Sequence, residues 1–116
     1  MAVRGIRGAT TVENNSREEI LTATKELLRE LVAANSLKIE EIASILFTLT
    51  SDLNAEFPAV AAREIGWQDT PLICAKEIEV PGSLPKCVRV LMQVNSSKEQ
   101  KEIKHVYLKK AGNLRR

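Results

Sequence analysis

Four residues stand where an apolar side chain is expected. Arg7, Glu77, Arg89 and Tyr107 each fall in a segment that otherwise reads as the interior of a β-strand. An unpaired charge is costly in such a place. Charged groups and a phenol fixed on separate strands would instead build a rigid polar pocket. Two arginines in it suit a small dianion, because a guanidinium stays charged and grips a carboxylate through two parallel hydrogen bonds. Each residue also has a plainer reading. Arg89 lies on the less apolar face of its strand, so pattern alone equally allows it to point at solvent. Glu77 belongs to the alternation Lys76-Glu77-Ile78-Glu79, where pattern alone favours exposure. Tyr107 also fits as a core aromatic with a satisfied hydroxyl. Arg7 is the hardest to dismiss, because Gly5 and Gly8 flank it and small neighbours would leave an open slot above the strand. Cys74 reads as a buried, inert thiol. His105 has no evident acidic partner and reads as a surface strand residue.

The elements that must position these residues follow from periodicity and turn chemistry. Val3 to Val12 reads as a glycine-punctuated strand, with Arg7 sharing a face with Gly5 and Ala9. Ser16-Arg-Glu-Glu19 is a capping-box signature. Behind it, Ile20, Thr24, Leu27, Leu28, Leu31 and Val32 form one helical stripe, ending near Asn35 in a left-handed cap. A short helix is expected over Lys38 to Ser44 and a strand over Ile45 to Thr50. Pro58 and Gly66 bracket a further helix. Strands are expected over Pro71 to Val80, before the Pro81-Gly82 turn, and over Cys87 to Val94. In the second of these, Val88, Val90, Met92 and Val94 take one face, and Cys87, Arg89, Leu91 and Gln93 the other. A last strand is expected from Ile103 to Leu108, and the basic tail from Lys109 to Arg116 reads as loosely ordered. Helices on one face of a mixed sheet make an α/β (α+β) single domain over residues 1–116. The uncovered face of so small a sheet favours a homo-oligomer.

The 116-residue length suits one domain, and 44% apolar with 28% charged residues is ordinary for a globular chain. A net charge of +2 is too small to indicate nucleic acid or a membrane surface as partner. No apolar run reaches membrane-spanning length and no signal-peptide pattern opens the chain, so it reads as cytoplasmic. One histidine and no Cys-x-x-Cys spacing argue against a metal site. No nucleophile elbow and no phosphate-cradling glycine loop occurs, so neither covalent catalysis nor a nucleotide cofactor is indicated.

The sequence resembles the monofunctional bacterial chorismate mutases of the trimeric α/β type. The likeness runs over nearly the whole chain. It rests on Val3-Arg-Gly-Ile-Arg-Gly-Ala-Thr-Thr-Val12, Asp52-Leu with Phe57-Pro-Ala59, Ala62-Arg63, Gly66-Trp67, Cys74 with Glu77, Lys86-Cys-Val-Arg89-Val, and His105-Val-Tyr107-Leu. The resemblance implies a homotrimer whose sheets form a pseudo-barrel, with active sites between subunits. It implies rearrangement of the dicarboxylate chorismate to prephenate, without cofactor or metal. By position it assigns Arg7, Arg89 and Tyr107 to substrate binding, and Glu77 and Cys74 to the ring hydroxyl. Phe57 and Arg63 become the cleft wall and rim, and Leu114 with Arg115 a closing tail. Catalysis would fall to Arg89, Glu77 and Arg7. Val60 departs from some relatives, which carry a lysine there. The rival readings are a trimeric small-molecule-binding or imine-deaminase-like protein of similar architecture and a non-catalytic regulatory module. Glu77 paired with Arg89 and the Tyr107 strand favours the chorismate mutase pattern.

Overall fold

A computed structural model describes residues 1–114 of the chain. Five strands form one mixed sheet: β1 (Ala2–Thr11), β2 (Ile42–Leu49), β3 (Leu72–Lys76), β4 (Cys87–Ser96) and β5 (Val106–Tyr107), in the order β3-β2-β4-β1-β5. β4 pairs antiparallel with both β1 and β2, whereas β3 and β5 run parallel to their neighbours at the two edges. Two helices, α1 (Arg17–Asn35) and α2 (Ala59–Glu64), cover one face.

The alternation in β4 decides which face is which. Val88, Val90, Met92 and Val94 are buried, while Arg89, Leu91 and Gln93 point the other way and are exposed. Val90, Met92 and Val94 meet Ile6, Ile45 and Phe47 of the neighbouring strands and Leu27, Leu28 and Leu31 of α1 in the main core, while Val88 joins Val12, Ile20 and Leu53 in a second cluster. Gly8 belongs to this packing. A Cβ there would come within 3.0 Å of Leu31 Cδ1 and 3.1 Å of Leu27 Cδ1. Its smallness therefore seats α1 on β1; the slot beside Arg7 on the opposite face owes more to Gly5 and Ala9.

Ser16 caps α1 as expected, its Oγ accepting the Glu19 N–H at 3.1 Å. The other end differs. The left-handed residue is Ser36 (φ 50°), not Asn35. Asn35 is buried because its side chain is used elsewhere: Nδ2 donates to the carbonyls of Leu31 and Lys104, and Oδ1 accepts the Lys104 N–H.

Four other expectations are corrected. The helix expected over Lys38 to Ser44 is a single 3-10 turn, Ile39–Glu41, and β2 already begins at Ile42. Ile42 and Ile45 are both buried, and pairing with β4 outweighs the local helical pattern. β3 stops at Lys76, because its only partner, β2, ends at Leu49; the Glu77 N–H makes one last bond to the Leu49 carbonyl at 2.8 Å. The last strand keeps only Val106 and Tyr107, since both backbone groups of Lys104 are taken by Asn35. Beyond it, Lys109–Leu114 forms a 3-10 helix that folds onto the outer end of β1. There Ala111 is fully buried beside Ala9 and Cys87.

Candidate active site

The face of the sheet away from the helices carries the residues singled out by their chemistry. Strand register puts them in two rows. Thr48 lies opposite Arg89, Arg89 opposite Ala9, and Ala9 opposite Tyr107, so one row crosses β2, β4, β1 and β5. The next row holds Leu46, Leu91 and Arg7. Arg7 and Arg89 are therefore diagonal neighbours, about 7–8 Å apart at the backbone. Ala9 separates Arg89 from Tyr107 by two strand spacings, about 10 Å. Between them stands the small Ala9 side chain, itself buried beside Ala111.

These residues line a cleft of about 240 Å³, together with Gly8, Val90, Glu77 and Leu114. Glu77 enters it from just beyond the end of β3. Its Oε2 accepts the Thr48 hydroxyl hydrogen and lies 3.8 Å from Arg89 Nε. Arg89 keeps 45% of its side-chain surface exposed, against 23% for Glu77. The guanidinium therefore retains open donor positions toward the cleft. Among the described residues, Glu77 is the only carboxylate lining the cleft, facing two guanidinia. The site thus has a net positive charge and a floor made apolar by Leu46, Leu91 and Leu114. That combination suits a small, partly apolar anion.

Not every expected site residue gathers here. Cys74 pairs with Phe47 and shares its core-facing side of the sheet, packing toward the helices. Burial pushes its thiol upward in pKa, partly opposed by a backbone hydrogen bond at Ala59. Phe57 stands at the entry to α2 and is 67% exposed. Arg63 turns back on its own helix end, donating to the Trp67 and Gln68 carbonyls at 2.6 and 2.7 Å. The expectation for Arg115 lies outside the described residues. Thr48 and Ala9 also belong to the site, although a threonine and an alanine in strands carry no chemical signal until the register is known. Cys87 lies beneath Arg89 with its pKa raised by burial, against the opposing pull of that guanidinium. Among the described residues no group of three His, Cys, Asp or Glu side chains could hold a metal ion.

The family model for chorismate mutase type I matches residues 3–116, the region that supplies every residue of this cleft. The chain belongs to the type I chorismate mutases. It is 49% identical to the chorismate mutase AroH of Bacillus subtilis (strain 168), over 99% of this chain and 91% of that one. It is 50% identical to the chorismate mutase AroH of Thermus thermophilus, over 97% and 93%. The solved structure of a chorismate mutase from Clostridium thermocellum superposes with a TM-score of 0.91 at 55% identity, covering 92% of this chain and 96% of that one. The mixed sheet backed by helices is thus shared with a chorismate mutase of known structure.

Proposed function

We propose that the chain converts chorismate to prephenate, a step toward phenylalanine and tyrosine. The observation that carries this reading is the outer-face cleft, in which Arg89 and Tyr107 flank Ala9 with Arg7 and Glu77 beside them, in a chain of this family.

The rearrangement is a concerted sigmatropic (Claisen) shift. One carbon–oxygen bond breaks as a carbon–carbon bond forms, with no proton transfer and no covalent intermediate, so neither nucleophile nor cofactor is required. Partial negative charge collects on the departing ether oxygen. A fixed cation there stabilises the transition state more than the ground state. Arg89 takes that role, held in place by a paired strand on each side. Arg7 holds a carboxylate, helped by the Tyr107 hydroxyl. Glu77, oriented by Thr48, accepts a hydrogen bond from the ring hydroxyl and offsets the developing positive character of the ring. Together they favour the compact, reactive conformer of a flexible substrate.

The enzyme acts as a homotrimer in the cytoplasm. Self-association is supported by the sheet face itself, with Ile73 64% exposed and Leu91 40% exposed beside the cleft. Phe57, Arg63 and Cys74 do not line their own chain's cleft, and in a trimer they are candidates for the wall of a neighbour's. Ultraviolet measurement of chorismate loss with purified protein tests the activity, and sedimentation equilibrium tests the trimer. Absence of turnover by the folded protein would remove the reading.

A further inference from the structure

The strand that carries Tyr107 is held by very little. β5 has two residues, paired in the weaker parallel mode with Gly8 and Ala9. Just past it, the Leu108 N–H donates to the Ala9 carbonyl at 2.9 Å. At its start the ladder should continue with a carbonyl receiving the Arg7 N–H. None is in place, because Asn35 draws Lys104 toward α1 and takes both of its backbone groups. The His105 imidazole fills the gap instead, and its Nδ1 accepts the Arg7 N–H at 2.9 Å.

We infer that His105 is a positioning residue: by accepting the Arg7 N–H it locks β5 beside β1, and so fixes where Tyr107 and Leu114 stand over the cleft. The inference builds on the proposed turnover of chorismate. A backbone N–H can only donate, so Nδ1 must carry no proton and the ring must be neutral. The surroundings favour that form. Burial and the Arg7 guanidinium of β1 both lower the imidazole's pKa. Of the other groups packed around this junction, Asn35 on α1 and Gln100, bonded to Gly5, are uncharged, and Lys104 beside it in the chain is a second cation. Protonating the ring would remove the acceptor and set a new positive charge against Arg7. β5 would then leave its register for part of the time, and apparent affinity falls with the fraction of competent protein.

Steady-state kinetics with chorismate between pH 5 and 8, on wild type, H105A and H105N, test this. The asparagine Oδ1 can accept where Nδ1 does and does not titrate. Losing one hydrogen bond of this kind should raise KM about tenfold in H105A at pH 7.5, with kcat changing less. Wild-type KM should rise as the pH drops through the imidazole titration. H105N should recover most of the wild-type KM and show no such rise. In parallel, the Arg7 amide resonance of the wild-type protein should shift, and its hydrogen exchange quicken, with the same midpoint as the His105 ring. A wild-type KM in H105A, or an Arg7 amide indifferent to the ring's titration, would overturn the inference. If H105A does not fold, H105N and the amide measurement decide. If the wild-type protein leaves chorismate untouched, the functional reading fails, and the amide measurement still judges the role of His105.

Discussion

Replacing Arg89 by glutamine removes the charge and keeps a polar side chain on the same strand. The effect on folding should be small. The arginine is 45% exposed and its ion pair with Glu77 spans 3.8 Å, a geometry worth under about 1 kcal/mol. The effect on turnover should be large. About half a negative charge on the ether oxygen, about 3 Å from a guanidinium at an effective dielectric of about 20, is stabilised by about 2.8 kcal/mol. Loss of the accompanying hydrogen bond adds about 1 kcal/mol. The barrier should therefore rise by about 3–4 kcal/mol, a drop of about 100- to 1,000-fold in kcat. The assay is chorismate disappearance in the ultraviolet, with thermal unfolding monitored on the same samples. R89K, which keeps the charge but offers a point donor instead of a planar fork, should fall between R89Q and wild type. An R89Q protein with unchanged melting behaviour and kcat within about tenfold of wild type would refute the assignment of Arg89 to the ether oxygen.

Other substitutions probe the supports of the site. T48V deletes the hydroxyl that holds the Glu77 carboxylate and should lower kcat/KM about five- to tenfold with little change in stability, by kinetics and calorimetry. G8A forces a methyl group within 3.0 Å of Leu31 Cδ1 and should cost about 1–3 kcal/mol in denaturant unfolding; an unaltered midpoint would mean that the helix moves aside freely. N35A removes the buried side chain that satisfies both backbone groups of Lys104 and should cost about 2–4 kcal/mol in the same experiment. The pH dependence of stability should carry the mark of His105. Its pKa in the fold lies below the ordinary 6.5, so the unfolded chain takes up the proton first as the pH drops. The contribution of His105 should be constant above about pH 7 and decline below 6.5. It should level off once the folded ring is protonated as well, and H105N should lack that step.

Much of the scaffold was legible because it obeys strong periodicities. The alternation in β4 correctly assigned Arg89 to the face away from the core, and the stripe in α1 marked its buried side. Where partners decide the outcome, pattern failed. β3 had the composition to continue past Lys76, but β2 offered it nothing to pair with beyond Leu49. α1 does end at Asn35, but the left-handed turn falls on Ser36, and a distant backbone claims the Asn35 amide. Gly8 had no evident purpose in a plain strand, and proved to be a seat for two leucines on the face opposite Arg7. The cleft was half visible. Arg7, Glu77, Arg89 and Tyr107 announced themselves as polar groups in apolar segments. Thr48 and Ala9 acquire meaning only from the register that sets them in line with Arg89, and register is a property of pairing between segments far apart in the chain.

The parallel contact between β1 and β5 ties Gly8 to Val106 across almost the whole sequence. During synthesis β1 is made well before β5, and its pairing along that edge waits until Val106 and Tyr107 emerge. A nascent chain stalled before Val106 already holds the segments of the helix-backed core, yet it has no phenol and no second wall for the cleft. The capacity to hold substrate therefore arrives only once β5 has been made, which makes turnover itself a report that β1 and β5 have met.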